Sequence, residues 1–257
     1  MINQDFIASH FGSKAESYSS YARVQQIIAK DLLQKISELT FHNCCDLGCG
    51  PGVNEQALAV FCNHVVAVDL SAQMCAQVEL LNLSNVSVVQ ENIESFNFRN
   101  FDLIFSSLAL QWCDLSKFFY NLSNSVDDES YLTLAFPIKG TLNELEHILQ
   151  ICGVENRVNN FYSKNEIDGV IDRFLVPYFD ISRLQVNELQ YLDKYNDKES
   201  YLNSIRKIGA TSNDTNKPFS KTQYRLLNEN LTDILNKQGY LTNTYNILQI
   251  VGKIKKL

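Results

Sequence analysis

The sequence predicts an α/β fold: a doubly wound, mostly parallel seven-stranded sheet, Rossmann-like, with a helical cap inserted in its C-terminal half. Three observations predict it. Short apolar runs alternate with amphipathic segments as far as Phe136, the pattern of a parallel sheet covered by helices on both faces. The first apolar run leads straight into a glycine turn, Gly48, Gly50 and Gly52, and the second ends on an acid, Asp69. The chain closes on a long apolar segment, 245–254, that reads as a last strand of the same sheet.

Taken in order, residues 22–39 carry Val24, Ile27, Ile28, Leu32, Ile36 and Leu39 at helical spacing. Residues 44–47 form a buried strand, 53–61 a helix, and 65–69 a second strand. Ser71 is an N-cap for a helix from 72 to about 81. Val86, Val88 and Val89 mark a third strand, 101–108 a fourth and 130–136 a fifth, with a helix around 115–125. Right-handed crossovers fix the winding. The second half reads as a helix at 141–151, a strand at 181–192 and helices at about 198–208 and 220–237. The whole chain, 1–257, is expected to form one domain, its segments at about 140–180 and 194–238 capping the carboxyl edge of the sheet.

The composition fits that picture. With 257 residues, 45% apolar and 20% charged, the chain can bury one substantial core. No apolar run is long enough to span a bilayer and the first residues lack a secretory pattern, so a cytoplasmic protein with no membrane partner is expected. Seven cysteines without a CxxC pair predict buried free thiols and no metal site. A net charge of −7 argues against nucleic acid as a partner.

In an open α/β sheet, ligands bind beyond the carboxyl ends of the strands. Asp46 lies near the end of the first strand. The glycines after it strip side chains from a turn, so the backbone can approach a ligand and the next helix can aim N–H groups at it. Asp69, 21 residues after Gly48, can accept both hydroxyl hydrogens of a ribose. Asn92 can meet the edge of an adenine, with Leu70, Met74 and Ile93 against its faces. The spacing GxGxG differs from the GxGxxG of dinucleotide sites, so a dinucleotide-dependent oxidoreductase is the weaker reading.

The DLGCGPG segment (46–52) resembles motif I of class I S-adenosylmethionine-dependent methyltransferases, and Asp69 and Asn92-Ile93 match that family's ribose-binding acid and adenine-contacting pair. An aspartate is common in the family where Asn92 stands. The likeness extends further. FGSKAESY (11–18), ENIES (91–95), LALQWC (108–113), GTLNEL (140–145), IRKIGAT (205–211) and YLTNTYNILQIVGKI (240–254) resemble the malonyl-[acyl-carrier protein] O-methyltransferases of biotin synthesis. The resemblance implies a carboxyl O-methyltransferase that uses S-adenosylmethionine, leaves S-adenosylhomocysteine and needs no metal. Its partner would be acyl carrier protein bearing a malonyl group. Ser106 is a further candidate cofactor-binding residue. Gln111 and Trp112, following the fourth strand, are expected to face the methyl group and hold the carboxylate through their amide and indole N–H donors, and Tyr18, in the N-terminal segment, to close over the cofactor. Because the carrier is acidic, a basic surface is needed. Residues 194–225 hold seven basic and three acidic side chains, and Arg206 and Lys207 are the candidates within IRKIGAT. Alternatives are a methyltransferase acting on another small acceptor, such as a quinone precursor, and an inactive binding module that keeps the fold.

Overall fold

The computed structural model describes residues 23–207 and 219–257, apart from the side chains of Arg206 and Lys207. Seven strands form one sheet in the order β3-β2-β1-β4-β5-β7-β6. β1 (Phe41–Leu47), β2 (Cys62–Asp69), β3 (Val86–Gln90), β4 (Leu103–Ser107) and β5 (Glu129–Pro137) run parallel. β7 (Leu241–Lys256) lies antiparallel between β5 and β6 (Phe179–Tyr195). β1 has β2 on one side and β4 on the other, so the winding reverses at β1. The carboxyl end of β1 is therefore the switch point, where neighbouring loops diverge and leave a crevice.

Period-two alternation divides the core between the two faces of the sheet. Cys44 of β1 faces α1 (Arg23–Gln34) and Leu58 of α2 (Glu55–Phe61), together with Leu145, Ile148 and Leu149 of α5 (Asn143–Ile151). Cys45 and Leu47 face the other way, towards Phe118, Phe119 and Leu122 of α4 (Leu115–Ser125). α3 (Ala72–Leu80) begins as expected at Ser71, whose hydroxyl accepts the Met74 N–H at 3.4 Å. All seven cysteines are free thiols, six of them buried. Among the described residues no helix is long and apolar enough to cross a membrane, and no cluster of ligating side chains could hold a metal ion.

The C-terminal half departs from expectation in two ways. Within the segment expected at about 140–180, a helix that the sequence pattern did not place, α6 (Lys164–Phe174), packs against α4 through Ile167 and Ile171. α5, α7 (Lys198–Lys207) and α8 (Lys221–Gln238) instead bury Leu149, Tyr201 and Leu227 on the opposite face. The helices expected to form one cap are thus shared between the two faces, because each has its own apolar stripe to cover. β6 and β7 are also longer than their apolar patterns. Beyond the pairing of Pro137 with Ile247, β7 still has six residues paired with β6, to Leu241 opposite Tyr195. At about 3.3 Å per residue this two-stranded arm overhangs the carboxyl edge by about 20 Å. Leu192 on it is 54% exposed, which its spacing as a core residue did not predict.

The arm holds α1 in place. Arg23 pairs with Asp193, Tyr195 also donates to Asp193, and Tyr191 donates to Asp31 of α1 at 2.9 Å. Asp193 is only 4% exposed, so its charge depends on these partners. Asp193→Ala is expected to cost about 2 kcal/mol of stability and to speed amide exchange in α1 before the rest of the sheet opens. Denaturant unfolding and hydrogen exchange check this, and unchanged exchange in α1 would show that the arm does not anchor it.

Candidate active site

The turn after β1 is built against β2. Gly48 takes φ +69°, and a β-carbon there would stand 2.2 Å from Ala109 Cβ, so only glycine fits. The Gly48 and Cys49 N–H groups both donate to Val68 O, at 2.7 and 3.0 Å. The Gly50 N–H donates to Asp69 Oδ2 at 3.0 Å, and the Ser71 N–H donates to Oδ1 at 2.8 Å. Asp69 thus braces the glycine turn while each of its oxygens keeps capacity for another donor. Burial pushes its carboxyl up from the usual range, and these hydrogen bonds oppose the shift.

Above this turn opens a hollow of about 1100 Å³ including its mouth. Its wall brings together Gly48, Gly50, Asp69, Leu70, Met74, Asn92, Ile93 and Trp112, all singled out in the sequence. Met74 and Ile93 are buried apolar surface, 2% and 7% exposed. Asn92 Oδ1 accepts the Glu94 N–H at 2.9 Å, so the amide is fixed by its own turn and offers a ligand its remaining capacity. Asp69, Glu91 and Glu94 are in the wall, and among the described lining residues there is no lysine, arginine or histidine. A negative, partly desolvated hollow of this kind favours a cationic ligand.

Other expected residues lie elsewhere. Ser106 is fully buried and its hydroxyl donates to Leu47 O at 2.9 Å. It staples β4 to the end of β1, and by strand alternation its neighbour Ser107 is the one in the wall. Gly52 sits behind the turn, against Leu81 and Val78. Asp46 is fully buried below it and does not reach the wall. Gln111 belongs to a short 3-10 turn, Leu110–Trp112, and its amide donates to Leu108 O at 2.6 Å. That donor is committed to the backbone, so Gln111 secures the turn that carries Trp112 and does not itself line the hollow. Tyr18 lies outside the described residues, as do the side chains of Arg206 and Lys207.

Some wall residues were not anticipated. Gln25, Gln26 and Ala29 of α1 line the hollow, and Ala29 is buried along with Val24, Ile28 and Leu32. Their small and amide side chains along the border of an apolar stripe were the signal available. Much of the basic window is locally engaged. Lys194 lies over the Tyr240 ring at 4.2 Å, Lys198 donates to Thr232 at 2.9 Å, and Arg225 pairs with Glu229 at 3.6 Å.

Comparison with known proteins agrees with this geometry. Residues 45–134 match a family model described as a methyltransferase domain. The chain is 29% identical over 230 residues to a malonyl-[acyl-carrier protein] O-methyltransferase of Bacillus anthracis, covering 83% of each chain. A protein of the same name from Halalkalibacterium halodurans is 25% identical, with 97% of this chain and 98% of that one covered. In fold the chain is similar to the YcgJ protein of Bacillus subtilis, with a TM-score of 0.56 at 14% identity over 89% of this chain and 97% of the other. A switch-point hollow under a glycine turn, a methyltransferase domain matched over residues 45–134 and relatives aligned along almost the full length support one reading: the chain has the fold and the cofactor half of a class I S-adenosylmethionine-dependent methyltransferase.

Proposed function

We propose that the chain methylates the free carboxylate of a malonyl group carried on acyl carrier protein. The observation that carries this reading is the extent of the similarity. The relatives bearing that name align through the C-terminal half as well as the cofactor half, up to 97% of the chain. A likeness in the cofactor motifs alone would leave the acceptor open.

In this reading Asp69 holds the ribose hydroxyls, Asn92 meets the adenine edge, and Leu70, Met74 and Ile93 supply its apolar surroundings. The Gly48–Gly50 turn lies along the methionine part. Bound there, S-adenosylmethionine supplies a methyl group already activated on a sulfonium. The acceptor carboxylate is ionised at neutral pH, its free pKa being about 3 to 4, so the chain need not provide a base. Its residues orient and dehydrate. Trp112 forms apolar wall beside the transfer site, and Gln111 keeps that wall in place through Leu108. Orientation of this kind supplies at most about 7–11 kcal/mol of barrier lowering. Arg206 and Lys207, with the basic stretch around them, are proposed to meet the acidic carrier.

The direct test is methyl transfer to malonyl-acyl carrier protein, compared with malonyl-coenzyme A and an unrelated carboxylic acid. Robust transfer to the unrelated acid with none to the malonyl thioesters would refute the proposal. Gln111→Ala is expected to lower turnover by up to about a hundredfold by loosening the Trp112 turn, while affinity for S-adenosylmethionine stays within about twofold of wild type. Steady-state kinetics and a binding titration separate the two quantities, and a loss confined to cofactor affinity would remove Gln111 from this role.

A further inference from the structure

Two carboxyl groups lie buried beneath the glycine turn with no cation beside them among the described residues. Asp46 of β1 and Glu55, the first residue of α2, are both fully buried. Glu55 Oε2 accepts the Asn54 N–H at 3.1 Å, and the same oxygen lies 3.5 Å from where a Gly52 β-carbon would stand. Asp46 Oδ1 and Oδ2 and Glu55 Oε1 are buried without a well-formed hydrogen bond among the described residues, the Asn54 side chain beside Asp46 opposing only part of the effect of burial. The two side chains adjoin, yet as carboxylates neither has a donor to offer the other.

Among the described residues, the titratable groups facing the pair from the surrounding elements are Asp69 at the tip of β2, Cys49 in the turn, and Cys44 and Cys45 on β1. None is basic. Burial drives the Asp46 carboxyl well above its ordinary range and Glu55 up to about 7. Two carboxylates in contact away from water do not both ionise readily. One proton between them turns the contact into an O–H···O hydrogen bond and satisfies atoms that are otherwise orphaned.

We propose that Asp46 and Glu55 share one proton beneath the glycine turn, and that they release it when a cationic cofactor fills the hollow above, which makes Glu55 a positioning residue that helps distinguish the sulfonium cofactor from its neutral-sulfur product. The inference rests on the cofactor reading given above. S-adenosylmethionine carries one more positive charge than S-adenosylhomocysteine, so it gains more from an ionised pair. Linkage is reciprocal. If the sulfonium favours the ionised pair, raising the pH through the pair's titration strengthens sulfonium binding, at most about tenfold per pH unit for one proton. The proton passes to the solvent buffer, and no bond other than O–H is made or broken.

The test is titration calorimetry of both ligands at about pH 6, 7 and 8 in two buffers of different ionisation heat, with the infrared spectrum of the cofactor-free protein as a second readout. Wild type is expected to show a protonated-carboxyl band that fades towards high pH. It should release close to one proton on binding S-adenosylmethionine near pH 6 and less than half of that on binding S-adenosylhomocysteine. In Glu55→Gln the amide can donate to an ionised Asp46, so the proton release and the pH dependence of the preference between ligands should vanish. Asp46→Asn serves the same purpose if that variant does not fold. Sulfonium binding with no proton release, or release unchanged in the variants, overturns the inference and leaves the cofactor reading standing. Failure of both ligands to bind overturns that reading along with the linkage, while the infrared band still decides whether a proton is shared.

Discussion

Gly48→Ala is expected to cost about 2–4 kcal/mol of stability and to abolish measurable cofactor binding. Two effects add. The left-handed φ of +69° is disfavoured for any side chain, by about 1 kcal/mol. The larger effect is steric, because the new β-carbon would stand 2.2 Å from Ala109 Cβ. Both atoms are fixed to backbone, so no rotamer change relieves the overlap, and overpacking of this kind costs about 1–3 kcal/mol or more. The backbone must yield on one side or the other. On one side are the N–H groups of Gly48 and Cys49 on Val68 O; on the other is the turn leading to Trp112. Ala109→Gly offers a specific check. In the Gly48→Ala background it should restore the steric part and leave the conformational part, giving a coupling of about 1–3 kcal/mol in a double-mutant cycle. Additive costs in denaturant unfolding would mean that the two residues do not oppose each other.

This contact also shows what the sequence can and cannot convey. The glycine turn and its acid were legible because they are local: an apolar run, a turn with almost no side chains, and an acid where the next run ends. The parallel half of the sheet followed from the same alternation. The reason for Gly48 was not legible, because Ala109 arrives from the loop after β4, far away in sequence. Gln111 and Ser106 misled for a related reason. Type and position suggested polar groups facing a ligand, but a 3-10 turn spends the Gln111 amide on Leu108 O and the pleat sends the Ser106 hydroxyl to Leu47 O. α6 did have a local signal. Ser163 and Glu166 form a capping box, and Ile167 and Ile171 lie one turn apart. The signal was short and sat in a polar stretch, so it did not stand out from the loops around it. The paired Asp46 and Glu55 were invisible as a pair, since nothing in their spacing says that both are buried.

Asp69→Asn is expected to weaken cofactor affinity by about a hundredfold or more, which is at least about 2.7 kcal/mol. Shape is nearly unchanged, so the loss isolates the acceptor role. The carboxylate receives N–H groups from Gly50 and Ser71 on different oxygens. An amide can accept on one side only, and its NH₂ then confronts a backbone N–H on the other. That leaves one backbone donor without an acceptor, at about 1–3 kcal/mol, and removes acceptor capacity for a ribose hydroxyl. Thermal shift reads the outcome. At a concentration one hundred times the wild-type Kd, S-adenosylmethionine should stabilise wild type by about 2.7 kcal/mol and the variant by about 0.4 kcal/mol or less. In a chain of this size, that is about 5–10 °C against about 1 °C. The sign of the pH dependence follows from the acceptor role, and burial, which raises this carboxyl from its usual range, moves the transition to higher pH. As pH falls through that raised value, protonation converts an acceptor into a donor and wild-type affinity declines, whereas the variant, with nothing to titrate at this position, loses that contribution. An equal thermal shift in both proteins would mean that the ribose is held elsewhere, and would leave Asp69 with the structural task of bracing the glycine turn.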